Sequence, residues 1–400
     1  VNGAGYTVIK DAAALQAINN DKSRNYALGG DVDASGSSFT PIGGNFGSAF
    51  SGIFDGLGHR ISGLQINSNL EAVGLFGRTQ NAVLRNVELE GGSVTGLVGA
   101  NAVGALVGSS MAWEAGAGIF NVSASTAVTG ARNVGGLVGS LSDGSISNAH
   151  ASGAVTGSFD ATGPNPGRLG GLVGRIDSST SANLTNVYAS GAVKGQGGRS
   201  DYAGGLVGLA STGYEGTLHI TNAYATGNVR TEGQYVGGLI GGIDSNGGAV
   251  ELRNLHASGS VMGNGAGGVI GFGRGTQPIS LYAWWDKDST GQPSSIGHSG
   301  SDFNGVVVTT SAADRYSHNR YADFGDWTET APSSGIWQAS DSNGVQWIMI
   351  EGRTRPFLAS EYSTTIRNAH QLQLMAYDLG GSYRLAGDID TSATSTAYGA

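Results

Sequence analysis

The chain has 400 residues and a formal net charge of −9, and it contains 71 glycines, 7 prolines and no cysteine. Without cysteine it has no disulfide, thiolate metal site or cysteine nucleophile, and without a strict third-position glycine it is not collagen. The sequence has no dense basic stretch of the kind that binds nucleic acid. None of its apolar runs approaches the roughly 18 residues that are needed to span a membrane.

Residues 1–38 are predicted to start a unit of 357 residues that contains a short helix. Two segments return with the same offset of 357 residues and no gap: residues 9–18 at 366–375, and residues 26–33 at 383–390. Asp11 and Asn368 are suitable N-caps for the helix in each copy. Residues 361–400 are therefore predicted to start the next tandem unit, and the chain to be a slice of a longer array.

The turn Asp31–Gly36 resembles the opening of a calcium loop. The twelfth position of such a loop would be Ile42, where an EF-hand needs a bidentate glutamate. The alternative is a polar turn in which Asp31 and Asp33 accept hydrogen bonds from backbone N–H groups. The sequence alone leaves calcium binding open at this turn.

Residues 39–292 are predicted to form stacked β-coils. A Gly-Gly-Leu-Val-Gly type of motif recurs seven times at intervals of 30 to 35 residues: Val73–Gly77, Val103–Gly108, Val134–Gly139, Leu169–Gly174, Ala203–Gly208, Val236–Gly241 and Ala266–Gly271. Each repeat offers three short segments in which apolar residues alternate with small or polar ones, which is the period of a strand. One repeat cannot bury its own apolar face, whereas stacked repeats can, so the pattern predicts an all-β parallel β-helix.

One asparagine column indicates a tight corner shared by the coils. It comprises Asn86, Asn121, Asn148, Asn186, Asn222 and Asn254. Asparagine tolerates the left-handed conformation of such a corner, and stacked amides can bond from coil to coil. We expect a structural asparagine ladder.

An aromatic and imidazole column lies two residues beyond the asparagines. It comprises His150, Tyr188, Tyr224 and His256. Because Val187 and Ala189 should point inward, alternation predicts that the column faces outward. Its rings would form a strip for sugar binding or self-association, or they would only stabilise the sheet by stacking.

Other chemical motifs are weak. Gly263–Gly268 matches a dinucleotide fingerprint, but no βαβ unit surrounds it. Asp177 and Asp244 hold equivalent corners two coils apart, about 10 Å, which exceeds the carboxylate spacing of glycosidases. Ice binding needs columns of repeated threonine. The candidate column instead reads Thr129, Thr156, Lys194, Arg230 and Met262, which excludes ice binding. No catalytic residue, metal site or cofactor is predicted.

Residues 293–360 break the repeat pattern and are predicted to cap or interrupt the coils. Residues 311–320 are predicted to form a short helix. Trp337 and the segment 345–350 flank an Asn343-Gly344 turn, which predicts a β-hairpin.

The motif repeats, the Phe54–His59 block and the Tyr26–Asp33 block together resemble GLUG-motif proteins. More narrowly, they resemble bacterial exoproteins and adhesins of the filamentous-haemagglutinin type, which are exported by two-partner secretion. The resemblance covers nearly the whole chain and implies a right-handed β-helix, secreted or displayed at the bacterial cell surface, and an outer-membrane transporter for the parent protein. GLUG repeats also accompany some immunoglobulin-A peptidases, but their zinc-binding His-Glu-x-x-His motif is absent from this sequence.

The sequence therefore favours a non-enzymatic structural and adhesive repeat region that mediates attachment or biofilm-matrix association. Its expected partners are glycans, exopolysaccharide or other copies of itself, with no nucleic acid and no membrane insertion. The alternatives are a polysaccharide-active enzyme on the same scaffold and a passive stalk of a surface peptidase.

Overall fold

The computed structural model describes residues 5–36, 38–158, 167–196, 202–300 and 303–386, together with residues 389 and 391. It divides into two compact units, Val1–Val307 and Val308–Ala400. The architecture is all-β: mostly parallel strands form a β-solenoid of about eight turns with few short helices.

Three sheets run through the stacked coils of the first unit. Sheet 1 contains Thr7–Ile9, Tyr26–Leu28, Val32–Asp33, Ile53–Asp55, Arg60–Ser62, Phe76–Gln80, Val83–Glu90, Val107–Met111, Gly118–Ala124, Val138–Ala151, Val173–Ala189, Val207–Thr212, Thr217–Ala225, Ile240–Ser245, Ala249–Ala257, Ile270–Gly275, Ile279–Asp286, Ile296–Ser299 and Phe303–Asn304. Sheet 2 contains Gln65–Ser68, Ser93–Gly96, Ala127–Gly130, Val155–Ser158, Val193–Gln196, Val229–Arg230 and Val261–Met262. Sheet 3 contains Ala72–Val73, Ala102–Gly104, Asn133–Gly135, Arg168–Gly170, Tyr202–Gly204, Tyr235–Gly237 and Ala266–Gly267.

Helices are short in both units. The α-helices are Ala12–Gln16, Lys287–Thr290 and Ala369–Leu374, and the 3-10 helices are Ala17–Asn20, His318–Phe324, Ala359–Glu361 and Met375–Tyr377. Within the described ranges, no helix has the length and apolar character needed to cross a bilayer.

The strands of the second unit are mostly antiparallel. Asp326–Glu329, Ile336–Asp341, Gly344–Ile350 and Phe357–Leu358 form one sheet, and Thr365–Ile366 pairs with Arg384–Leu385. The hairpin closes where Asp341 pairs with Gly344. Strand Val307–Thr310 spans the boundary between the two units.

Register in the first unit follows the sequence repeats. In sheet 3 one apolar position pairs from coil to coil: Val73, Val103, Val134, Leu169, Ala203, Val236 and Ala266. All of these side chains except Ala266 are fully buried, and burying one valine or leucine stabilises the fold by roughly 1.5–3 kcal/mol. Each coil therefore covers the apolar residues of the next.

Two local expectations differ from the structure. The stack continues beyond residue 292, because Ile296–Ser299 pairs with the preceding strand that contains Ile270. The sequence predicts a helix over residues 311–320, but residues 312–316 form a turn and the 3-10 helix His318–Phe324 follows it. The Asp314 carboxylate accepts the backbone N–H of Ser311 at 2.7 Å, which stabilises the turn.

The two segments that are related by the 357-residue offset have the same local structure. Thr7–Ile9 pairs with Tyr26–Leu28, and the offset positions Thr365–Ile366 pair with Arg384–Leu385 in the same register. The side chain of Asp11 accepts from Ala14 N–H, and that of Asn368 accepts from Gln371 N–H. The equivalent residues Leu28 and Leu385 differ in burial, since Leu28 is fully buried whereas Leu385 is exposed.

Asp143 fastens one coil to the next. One carboxylate oxygen accepts the backbone N–H groups of Ser179, Thr180 and Ser181 at 2.9–3.0 Å, and the other accepts the Ser179 hydroxyl at 2.6 Å. Burial alone would raise the pKa of the Asp143 carboxyl, but these hydrogen bonds outweigh it and hold the pKa below its ordinary value. The contact thus depends on the ionised carboxylate.

We expect Asp143→Asn to destabilise the first unit at pH 7 by about 2 kcal/mol, because a neutral amide oxygen accepts more weakly than a carboxylate. Because the folded pKa is lowered, this contribution is complete above the unfolded pKa of about 3.9 and is lost as pH falls through the folded pKa. Urea denaturation of both proteins at pH 7 and at low pH should show the difference shrinking with acidification. A difference independent of pH would contradict the assignment.

Candidate functional site

The predicted aromatic column lies in register on neighbouring strands of sheet 1. His150 pairs with Tyr188, Tyr188 with Tyr224, and Tyr224 with His256. Successive ring centroids are 4.4, 4.8 and 4.8 Å apart, and the ring planes are within 9° of parallel. The rings therefore form one continuous stack with the spacing of the coils.

Burial corrects the expectation that this column faces solvent. Tyr188 is 5% exposed, Tyr224 1% and His256 3%, and His150 is only partly exposed. Strand alternation predicts which side of its own strand a side chain occupies, but not whether other residues cover that side. With Tyr188, Tyr224 and His256 buried, the geometry suits stabilisation of the sheet, not capture of a ligand.

The asparagine column occupies the left-handed corner. Its six members have φ between 50° and 55°: Asn86, Asn121, Asn148, Asn186, Asn222 and Asn254. Amide hydrogen bonds run from Asn121 to Asn86, Asn186 to Asn148, Asn222 to Asn186 and Asn254 to Asn222, at 2.9–3.2 Å. All these amides serve coil-to-coil contacts.

Sequence reasoning missed Asp55, which extends this ladder into an earlier coil. Its carboxylate accepts from the Asn86 amide at 2.9 Å and from Arg85 Nε at 2.8 Å, and it is 2% exposed. Burial alone would raise the pKa of Asp55, but hydrogen bonds from Asn86, Leu57 N–H and Arg85 lower it below the ordinary value. The Phe54–His59 block contained the signal, since its aspartate lies about 30 residues before the first ladder asparagine.

The Asp31 and Asp33 carboxylates have protein partners. Asp31 contacts the His59 ring and Arg60, and Asp33 accepts the backbone N–H of Ser35 at 2.9 Å. In the described part of the chain, no group of three or more His, Asp or Glu residues is placed to hold a metal ion.

Asp177 and Asp244 are two coils apart in register, with Ser211 between them. Each carboxylate forms an ion pair with an arginine: Arg175 Nε donates to Asp177 at 2.8 Å, and Arg274 donates to Asp244 at 2.6 and 3.1 Å. The two ion pairs lie on the outer surface as charged, hydrogen-bonding groups.

An aromatic cluster lies beside these ion pairs, where sheet 3 turns into sheet 1. Tyr202 and Tyr235 pair in register in sheet 3, and their rings stack at 5.0 Å. Phe272 of the next coil approaches from sheet 1, 4.6 Å from Tyr235 and 6.4 Å from Tyr202. All three rings are partly exposed, and we call Tyr202, Tyr235 and Phe272 the aromatic platform.

Gly242 allows the platform to form. It lies in register with Phe272, and a Cβ at this position would lie 2.4 Å from the Tyr202 ring. The absent side chain lets the ring lie over the backbone. Burial raises the pKa of the Tyr202 hydroxyl, and nearby Tyr235 and Asp244 raise it further, so at neutral pH the hydroxyl is protonated and can donate a hydrogen bond.

The platform residues were not selected from the sequence. Their signal is the position before each copy of the repeat motif, which reads Asn133, Arg168, Tyr202 and Tyr235 in successive repeats. Phe272 belongs to a different strand, and only the bend of the coil brings it to the two tyrosines.

The Gly263–Gly268 segment lacks the geometry of a dinucleotide site. It contains strand Ala266–Gly267 and continues into strand Ile270–Gly275. The fingerprint requires a following helix whose N-terminus holds the pyrophosphate.

Comparison with known proteins supports the repeat architecture. Residues 130–156 match the model of the GLUG motif. Halomucin from Haloquadratum walsbyi is 35% identical over 296 residues, an alignment that covers 64% of this chain, and the chain spans 3% of the length of halomucin.

A solved structure shares the fold. It is the crystal structure of a candidate immunoglobulin A1 protease from Bacteroides ovatus, with a TM-score of 0.53 and 17% sequence identity over 88% of this chain and 92% of that chain. At this identity the likeness shows the fold alone.

Proposed function

We propose that this chain is a structural repeat region of a large secreted or surface-exposed protein and that it attaches to carbohydrate through the aromatic platform. The observation that carries the proposal is the cluster of partly exposed Tyr202, Tyr235 and Phe272 rings beside two arginine–carboxylate pairs. The C–H face of a sugar ring packs on an aromatic face, while its hydroxyls bond to neighbouring charged groups.

The location outside the cell has separate support. The chain is similar to a stretch of halomucin, a far longer protein. A cysteine-free chain also suits export in the unfolded state, in keeping with two-partner secretion through an outer-membrane transporter. Attachment to exopolysaccharide or to other glycans would then occur on the cell surface or in a biofilm matrix.

Polysaccharide cleavage has less support than binding. Asp177 and Asp244 are separated by a whole coil, and each is neutralised by an arginine. The catalytic carboxylates of a glycosidase flank one scissile bond together, whereas Asp177 and Asp244 each pair with an arginine.

We expect Tyr202→Ala and Tyr235→Ala each to weaken binding to a neutral polysaccharide at least about tenfold, because truncating an aromatic anchor typically costs about 2 kcal/mol. Affinity electrophoresis through gels containing dextran, xylan or galactan measures the change. Tyr214→Ala is the matched control, since Tyr214 is 81% exposed and lies outside the platform.

Circular dichroism must show that all three variants remain folded. Carbohydrate attachment would be contradicted if the wild type and both platform variants bound equally, if Tyr214→Ala lost as much binding as they do, or if no neutral polymer bound. Each of these results would favour a passive stalk.

A further inference from the structure

The outward face of sheet 2 carries one column of residues that runs from coil to coil and is polar except at its last member, Met262. The register places in line Asn67, Thr95, Thr129, Thr156, Lys194, Arg230 and Met262. The preceding residue of each strand is a buried valine or isoleucine, so alternation directs the column to solvent.

Two cations lie directly opposite each other in this column. Lys194 pairs in register with Arg230, and both are exposed. Like charges at directly opposed positions destabilise a sheet. Within the described residues neither side chain has an ion pair, although the chain as a whole has a net charge of −9.

The pair borders an open groove of about 690 Å³. Besides the two cations, its lining includes Gln196, Thr231 and Asn264, which offer polar groups, and Glu232. A Cβ at Gly195 would lie 2.4 Å from the Thr231 hydroxyl, so glycine permits this close packing of the groove floor. Thr231 is buried and accepts the Gly233 N–H at 3.0 Å, which fixes the floor.

We propose that this groove binds carboxylate or sulfate groups of an anionic polysaccharide. An anionic group placed between Lys194 and Arg230 would relieve their repulsion, and the arginine guanidinium can hold two oxygens of one group at once. Because equivalent positions repeat at about 4.8 Å, the polar column extends the contact along the polymer. This site lies on a different sheet from the aromatic platform and depends on charge.

The test replaces both cations by threonine, the residue type that the column already carries as Thr95, Thr129 and Thr156. Lys194→Thr/Arg230→Thr therefore preserves the strand and changes the charge. Binding to dextran sulfate and to uncharged dextran is measured by isothermal titration calorimetry at about 50 and 500 mM NaCl, a range over which the Debye length falls from roughly 14 to 4 Å. Lys10→Thr, at an exposed lysine outside the groove, is the matched control.

We expect wild type to bind dextran sulfate at low salt and much more weakly at high salt. The double variant should lose at least tenfold in affinity while Lys10→Thr retains it, and the melting temperature of the double variant at low salt should not fall. The proposal would be overturned if the wild type and the double variant bound dextran sulfate with equal affinity, if Lys10→Thr lost as much affinity as the double variant, or if the wild type did not bind dextran sulfate. Tyr202→Ala in the same assay separates the two sites, because it should reduce binding of neutral polymer only.

Discussion

Gly171→Ala is expected to destabilise the first unit by at least about 3 kcal/mol, at the upper end of the cost of overpacking. A Cβ at Gly171 would lie 2.0 Å from the carbonyl oxygen of Gly205 in the next coil and 2.9 Å from the Ala189 Cβ. The Gly205 oxygen belongs to the backbone of a tightly stacked corner and cannot rotate away. The neighbouring coils would have to separate, which breaks the packing that buries their apolar side chains.

Urea denaturation followed by circular dichroism measures this effect. Gly213→Ala is the control, because the nearest atoms to its Cβ are at 3.7 and 3.8 Å, an ordinary contact distance. We expect this control to stay within about 0.5 kcal/mol of wild type. Similar stabilities for the two variants would show that the coils are not stacked at this corner.

Asn222→Ala is expected to destabilise the first unit by about 3 kcal/mol. Asn222 has φ of 53°, a conformation that alanine adopts only at a cost of roughly 1–2 kcal/mol. Its amide donates to Asn186 at 3.0 Å and accepts from Asn254 at 2.9 Å, and each lost hydrogen bond costs about 1 kcal/mol.

Asn222→Gly separates the two contributions, since glycine relieves the backbone cost but loses both ladder hydrogen bonds. We expect it to be about 1 kcal/mol more stable than Asn222→Ala. Asn246→Ala, at an exposed turn, should be nearly neutral. The ladder assignment is wrong if the alanine variants at 222 and 246 have equal stabilities in urea.

The coil architecture was predictable because equivalent residues of successive sequence repeats pair with each other in the sheets. Val103, Val134 and Leu169 align in the sequence motif, and the structure pairs the same residues in sheet 3. A wrong register would expose this apolar column. The end of the stack was harder to predict than its middle. The stack continues through strand Ile296–Ser299, which carries no copy of the motif.

The surface was less predictable than the stack. Alternation placed Tyr188 on the outer side of its strand, but burial depends on residues elsewhere in the chain, and Tyr224 in the same column is only 1% exposed. The aromatic platform depends on a bend that brings Phe272 to Tyr235. The polar column of sheet 2 is visible in the sequence, but only the structure shows that its opposed cations Lys194 and Arg230 border a groove.

The most direct test of the account measures distances along that column by double electron–electron resonance. The natural chain has no cysteine, so cysteines introduced at Asn67 and at Lys194, Arg230 or Met262 take spin labels at defined sites. Parallel coils in register predict backbone separations of about 19, 24 and 29 Å, a constant step of roughly 4.8 Å per coil. Separations that do not increase by this step from one coil to the next would contradict the stacked-coil structure and the surfaces proposed on it.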